Sequence, residues 1–411
     1  MAQVKFTALL TTALFLIAAG TVSNGWQMYF MAAVILSLPA ASYLVGRLTL
    51  RGLRARRELP SPAWAGDVVP FRLTVTAEGR WPRMFMQVTD DLPKWLRRAE
   101  ETEPTLDFAV SGEARAEYGV ETLKRGVYTL STVSVSAADP LGLFRFKKTL
   151  AAPGELTVYP VPEEIPGLAI SGAERYGFRD LPFTAARGSG VDMDGVREYV
   201  PGDPLRRMHW KTVARTGNLH VIEFEESRSQ TVVVVLDTFS GGDIGTPPDS
   251  SFEYLVRAAA SLAQRAVRDG ASVRMVCGEP TGMDGNPGRG TEHLLSIYGA
   301  LARSEARSDR RLSSVLASRL GVLHAGTTVI ILTADPDPLL GEAIASYTAA
   351  GLAVIVLYAD GGSWRSGRGT APRRPEDFMI GLFRAGAEVL VMQRTANMRL
   401  MPEPVWSLAD A

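Results

Sequence analysis

The chain has 411 residues and balances 44 Lys and Arg against 44 Asp and Glu. That length allows two or three domains, and the balance gives no global signal for nucleic-acid binding. Cys277 is the single cysteine, which excludes an intramolecular disulfide and a Cys-rich metal cluster. Set in ASVRMVCG, it reads as a small residue of a buried strand.

The charge is unevenly placed. Residues 1–57 contain no Asp or Glu but include Lys5, Arg47, Arg51, Arg54, Arg56 and Arg57. Within them, 6–22 and 28–46 are apolar and uncharged. Each run is about long enough to cross a hydrocarbon core of roughly 30 Å. The polar turn SNGWQ joins them, Trp26 and Tyr29 suit the interface, and Pro39 is predicted to kink the second helix. The expectation is a transmembrane helical hairpin over 1–48, contacting the bilayer through 6–46. A cleaved signal peptide competes with it, but a second apolar run follows at once with no clear cleavage motif. The basic cluster over 47–57 is expected to stay inside, which leaves both termini and the soluble part cytoplasmic and the protein a two-pass protein of the cell membrane.

A basic, Pro-rich linker follows over 49–66. From 67 to 162, short stretches such as VVPFRLTVTAE and GVYTLSTVSVSA alternate apolar and polar residues between Gly and Pro. That is the pattern of a β-sandwich, and it carries no chemical motif. From 229 to 403 the rhythm changes. TVVVVLD, ASVRMVCG, TTVIILTAD, LAVIVLYAD and AEVLVM are continuous apolar runs separated by helical segments, which predicts an α/β open parallel sheet covered on both faces. Ligands on such sheets bind at the carboxyl ends of strands, where Asp237, Asp335 and Asp360 fall. A tail is expected over 404–411.

Between these blocks lies a joint over 163–228 that contains REYVPGDPLRRMHWKTVART, residues 197–216. Pro201-Gly202 suits a type II turn, Asp203 an N-cap, Pro204 the first helical position and Gly217 a stop. The spacing predicts a helix over 204–216. Leu205, Met208, His209 and Thr212 would form a buried stripe on it, and Arg207, Lys211 and Arg215 a cationic one, with Trp210 as a packing anchor. The cations have three readings: an internal network in which Arg197, Arg206 or Arg215 pairs with nearby acids, a docking face for an acidic partner, or a phosphate, nucleotide or lipid-headgroup site.

No motif for enzyme chemistry emerges. His209, His220, His293 and His324 show no metal-ligand spacing, and neither a Gly-x-Ser-x-Gly elbow nor a Walker A loop is present. His220 shares a strand face with Ile222 and Phe224 and reads as a core or interface residue. Gly188-Ser189-Gly190 reads as a hinge.

The run RGVYTLSTVSVSAADPLGLF, then VYP, then REYVPGDPLRRMHWKTVART, then a strand ending in Asp resembles the domain-of-unknown-function-58 family. The resemblance extends over essentially the whole chain. It implies a membrane hairpin, a β-sandwich and a von Willebrand factor A-like domain. It also implies association with MoxR-type AAA+ ATPases, and hence an accessory or assembly role without a known reaction. Its signature residues here are Arg197, Tyr199, Gly202, Asp203, Arg206, Arg207, Trp210, Lys211 and Arg215. A-type domains commonly hold Mg²⁺ at an Asp-x-Ser-x-Ser loop, and here that loop reads Asp237-Thr238-Phe239-Ser240-Gly241. Asp237, Ser240 and Asp335 are the candidate ligands of a degenerate site, with Thr291 a looser one. The leading expectation is a membrane-anchored, non-enzymatic scaffold with no cofactor, which binds a MoxR-type ATPase and client proteins but no nucleic acid. The alternatives are a Mg²⁺-dependent adhesion-type binder and an envelope-related enzyme.

Overall fold

The two apolar runs are helices, α1 (Ala2–Ser23) and α2 (Trp26–Thr49), both long and apolar enough to cross a membrane. α2 continues through Pro39. The computed structural model describes residues 2–78, 83, 86–100, 104–106, 112–165, 193–199, 208–224, 231–277, 285–318, 323, 327–364, 376–394 and 402–404. Two units emerge: Met1–Val161 with Tyr298–Ser304, and Pro162–Ile297 with Glu305–Ala411.

In the first unit the helices are followed, among the described residues, by β1 (Leu53–Glu58), β2 (Ala63–Trp64), β3 (Val68–Ala77), β4 (Met86–Thr89), β5 (Leu96–Arg98), β6 (Thr105–Leu106), β7 (Glu113–Thr122), β8 (Gly126–Ala138) and β9 (Arg145–Tyr159). They form two sheets, β1-β3-β7-β5 and β2-β9-β8-β4-β6. Alternation decides which face is inward: Val69, Phe71, Leu73 and Val75 of β3 are buried, as are Ala114, Ala116, Tyr118 and Val120 of β7. Leu73 and Val75 share one apolar cluster with Val88, Val133 and Val135 of the other sheet, so the two sheets pack face to face. Each such side chain contributes about 1.5–3 kcal/mol by its burial.

One basic residue of the flank is not on the surface. Arg57 and Asp90 are both fully buried and pair at 2.6 Å. Arg57 also donates to the carbonyls of Ala152 and Thr132, and the Tyr118 hydroxyl donates to Asp90 at 2.6 Å. Burial, then that bond and the Asp90 charge, raise the Tyr118 phenol.

The second unit begins with β10 (Met193–Glu198), α3 (Trp210–Thr216) and β11 (His220–Phe224). It continues with β12 (Thr231–Leu236), β13 (Gly245–Thr246), β14 (Asp249–Ser250), α4 (Ser251–Arg268), β15 (Ser272–Cys277), α5 (Gly290–Arg303), whose last turns belong to the first unit, and α6 (Leu312–Ala317). Then come β16 (Thr328–Thr333), α7 (Leu340–Ala349), β17 (Ala353–Ala359), α8 (Glu376–Arg384), β18 (Glu388–Met392) and β19 (Pro402–Pro404). The main sheet has the order β15-β12-β16-β17-β18-β19. Its first five strands are parallel and β19 is antiparallel to β18. Continuous apolar runs form the central strands because helices cover them. Val233, Val235, Ile331 and Val356 share one core with Leu340, Ile344 and Tyr347 of α7 and Leu382 of α8. Cys277 is fully buried at the end of β15.

One sequence expectation needs correction here. Of the helix expected over 204–216, α3 forms 210–216, and 204–207 lie outside the described residues; Met208 and His209 are not helical, because Met208 pairs with Val221 and the His209 amide donates to the His220 carbonyl at 2.8 Å. Burying Met208 beside β11 keeps 208–209 extended, so the predicted stripe through Met208 and His209 does not form. Pro404 closes β19, an edge strand where a proline is tolerated.

Candidate functional site

The sheet reverses its strand order at β12, whose neighbours β15 and β16 follow it in sequence. Crevices that bind ligands open at the carboxyl ends of strands at such a point. Asp237 directly follows β12, and Thr333 ends β16 two residues before Asp335. Thr333 ties the two loops together: its hydroxyl donates to Asp237 Oδ2 at 2.7 Å and accepts the Asp335 amide at 3.1 Å. The other oxygen of Asp237 accepts the Phe239 amide at 3.0 Å. Asp337 is buried nearby, with its two oxygens accepting the amides of Leu339 (3.0 Å) and Ser313 (3.1 Å).

An arginine completes the cluster. The Ser308 amide donates to the Thr238 carbonyl (2.8 Å), and the Ser240 amide donates to the Ser308 carbonyl (3.0 Å), which laces the 308 segment onto the loop after β12. Three residues on, Arg311 stands at the N-cap of α6. Its guanidinium lies over the Phe239 ring at 5.4 Å, with Nε 3.5 Å from Asp335 Oδ2 and Nη1 3.8 Å from Asp337 Oδ1. Arg311 is 46% exposed while the two carboxylates are 9% and 1% exposed. Asp335 Oδ2 is buried without a hydrogen-bond partner. Burial pushes the Asp237 carboxyl up to about 6. The bonds from Thr333 and Phe239 oppose this shift, and the charges of Asp335 and Asp337 add to it. Burial raises Asp335 as well, with Arg311 opposing.

The candidate metal ligands are distributed as follows. Asp237 and Asp335 come together. Ser240 is exposed on the short 3₁₀ turn after Phe239. Thr291 stands at the opposite end of the sheet. The chain after β15 folds back so that Gly288 pairs with Val273, and His293 Nε2 is 2.8 Å from the Val273 carbonyl, near the amino end of β15. The residues present do not fit a Mg²⁺ ion. Both oxygens of Asp237 and of Asp337 are engaged by protein donors, and Arg311 already supplies the positive charge beside Asp335. Among the described residues no group of three or more His, Cys, Asp or Glu is placed to hold a metal. Asp360 serves locally, accepting the Gly362 amide at 3.0 Å.

In the joint, β10 and β11 form an antiparallel pair in which Arg197 faces Val221 and Glu198 faces His220. The Tyr199 amide donates to the Leu219 carbonyl at 2.9 Å. Gly217 stops α3 in the left-handed region at φ 76°, where a Cβ would be strained. His209 Nδ1 is 2.6 Å from Thr212 Oγ1, and His220 Nδ1 is 2.8 Å from the Asn218 carbonyl. Trp210 is 65% exposed and is not a packing anchor. Lys211 and Arg215 are exposed and make no ion pair among the described residues. Gly202, Asp203, Arg206 and Arg207, the hinge at Gly188-Ser189-Gly190, and His324 lie outside the described residues.

Residues 195–333 match the family model described as "Protein of unknown function DUF58". The matched stretch starts in β10, takes in the joint, β12 and Asp237, and ends at Thr333. The chain is also similar to the "Uncharacterized protein YeaD" of Bacillus subtilis (strain 168), 27% identical over 268 residues. That match covers 64% of this chain and 65% of the relative, just under two thirds of its length. Within the matched stretch the sequence reading singled out Asp237. It missed Arg311, and it missed Thr333 because one hydroxyl inside an apolar run reads as ordinary strand composition. Asp337 carried a visible signal in the repeated Asp-Pro of ADPDP.

Proposed function

We propose that the chain is a two-pass protein of the cell membrane, anchored by α1 and α2, whose soluble part is a cytoplasmic, non-enzymatic scaffold. Its second unit acts as a von Willebrand factor A-like module that docks a protein partner at the carboxyl ends of its strands. The partner class is a MoxR-type AAA+ ATPase, with client proteins brought to it. The acid-free, basic flank formed by Arg47, Arg51, Arg54 and Arg56 supports the cytoplasmic side. The sheet order and the resemblance of the joint and the strand ending in Asp237 support the module. The observation that carries the docking role is the Arg311 cluster. Arg311 is half exposed, lies over the Phe239 ring and meets Asp335 and Asp337 only at long range, and among the described residues a buried oxygen of Asp335 lacks a hydrogen bond. Such a pair can be exchanged for a partner's charges, because the protein's own bonds there are weak to begin with.

The test is binding between the full chain in nanodiscs and a purified MoxR-type ATPase from the same organism. Arg311→Glu is expected to abolish saturable binding while α1, α2 and the sandwich stay folded. Equal affinity of wild type and Arg311→Glu would remove the strand-end surface from the account.

A further inference from the structure

The β8–β9 hairpin of the first unit runs along the last two turns of α2. Lys148 Nζ donates to the Leu50 carbonyl at 3.1 Å. Further along, Phe146 meets Tyr43 edge-on, with centroids 5.3 Å apart, and lies so close to Gly46 that a Cβ there would displace it. Phe144 meets the same Tyr43 ring at 5.4 Å. At the tip, the Ser42 hydroxyl donates to Asp139, which also accepts the Leu141 amide at 3.1 Å. Burial raises the Asp139 carboxyl, but hydrogen bonds from Ser42 and from the Phe144, Leu141 and Leu143 amides outweigh it and hold it below its ordinary value. Lys5 Nζ of α1 donates to the Leu141 carbonyl at 3.2 Å. Ser42, Gly46 and Thr49, spaced as one helix face, are the buried residues of this end of α2.

These contacts set a level. The tip lies beside Ser42 on α2 and Lys5 on α1. The stretches left between that level and the Asn24 turn, 26–42 and 5–23, are about 25 and 28 Å long at 1.5 Å per residue. That is close to a hydrocarbon core of about 30 Å. Leu141 is 37% exposed at the tip. Arg47, Arg51, Arg145 and Lys147 are exposed around the junction, and neither 1–57 nor 140–154 contains an acidic residue.

We infer that the hairpin tip, residues 139–144, is a bilayer-seating element. It rests in the lipid headgroup layer and fixes the exit of α2 at Ser42, so that 43–49 lie against the sandwich rather than in hydrocarbon. The inference rests on the reading of α1 and α2 as membrane spans. It shortens the second span from the 28–46 expected from hydropathy alone.

The experiment places a nitrobenzoxadiazole label on the full chain in nanodiscs, one site at a time: Leu141→Cys, Leu14→Cys in the middle of α1, and Thr129→Cys towards the other end of β8. Cys277 is fully buried and is replaced by Ala if it takes label. Quenching is read with nitroxide lipids carrying the spin label in the headgroup or in the acyl chain. The headgroup nitroxide is expected to quench position 141 several-fold more than position 129, and the acyl-chain nitroxide to quench position 14. Quenching at 14 with 141 no different from 129 would overturn the seating element and leave the anchor standing. No quenching at 14 would overturn the anchor itself. Gly46→Val, which displaces Phe146, is expected to bring quenching at 141 down to that at 129. Undiminished quenching in that variant would mean that the label partitions by itself, and would also refute the inference.

Discussion

Asp237→Asn probes the strand-end cluster most sharply. In the wild type the carboxyl is pushed from 3.8 to about 6, chiefly by burial. A folded-state value above the unfolded one means that this group's contribution to stability is fully present below about pH 4 and is lost as pH rises through 6. At 1.36 kcal/mol per unit, the full loss is about 3 kcal/mol, most of it between pH 4 and 7. Asparagine carries no charge and keeps the geometry. Its oxygen can accept the Phe239 amide, and its amide can donate to Thr333 Oγ1 once that hydroxyl turns to the Asp335 carbonyl, 3.2 Å away. Hydrogen exchange of the amides of 232–236 and 329–332, corrected for intrinsic rates, reads the local stability. The protection of Asp237→Asn over wild type is expected to grow by about a hundredfold between pH 4 and pH 8. A variant less protected than wild type at pH 8 would refute the reasoning, since it would mean that the charged carboxylate is stabilised by a counter-charge other than the groups described above.

Three further outcomes follow from the structure. Arg57→Ala should cost about 3–5 kcal/mol in denaturant unfolding of the first unit, because it leaves Asp90 charged and buried; Arg57→Met combined with Asp90→Leu should cost less, and equal losses would contradict this. Trp210→Ala and Lys211→Glu should leave stability within about 0.5 kcal/mol, as expected for exposed positions away from packing. If either lowers it by several-fold more, the joint is held by contacts through this face. Calorimetric titration of the full chain with Mg²⁺ should give no saturable heat. Binding that disappears in Asp237→Ala would restore the adhesion-type reading.

The parallel sheet was legible because a strand covered on both faces has to be apolar throughout, as Val232–Leu236 and Val329–Leu332 are. The same pattern put Asp237 and Asp335 at strand ends. What it missed came from chain returns that periodicity does not encode. The segment after β15 folds back to pair Gly288 with Val273, which carries Thr291 to the wrong end of the sheet. The 308 segment laces onto the loop after β12 and brings Arg311 over carboxylates distant in sequence. In the joint, Gly217 marked its helix stop correctly. Met208 and His209 do not continue the expected helix because Met208 is buried beside Val221 and pairs with it. Arg57 read as one more flanking charge, since nothing local announces a partner at Asp90.

The scaffold account stands most directly on what the chain holds in its native membrane. Crosslinking there, followed by purification through the full chain, is expected to recover a MoxR-type AAA+ ATPase with wild type and to lose it with Arg311→Glu. Its absence from the wild-type sample, or equal recovery with both proteins, would contradict the account.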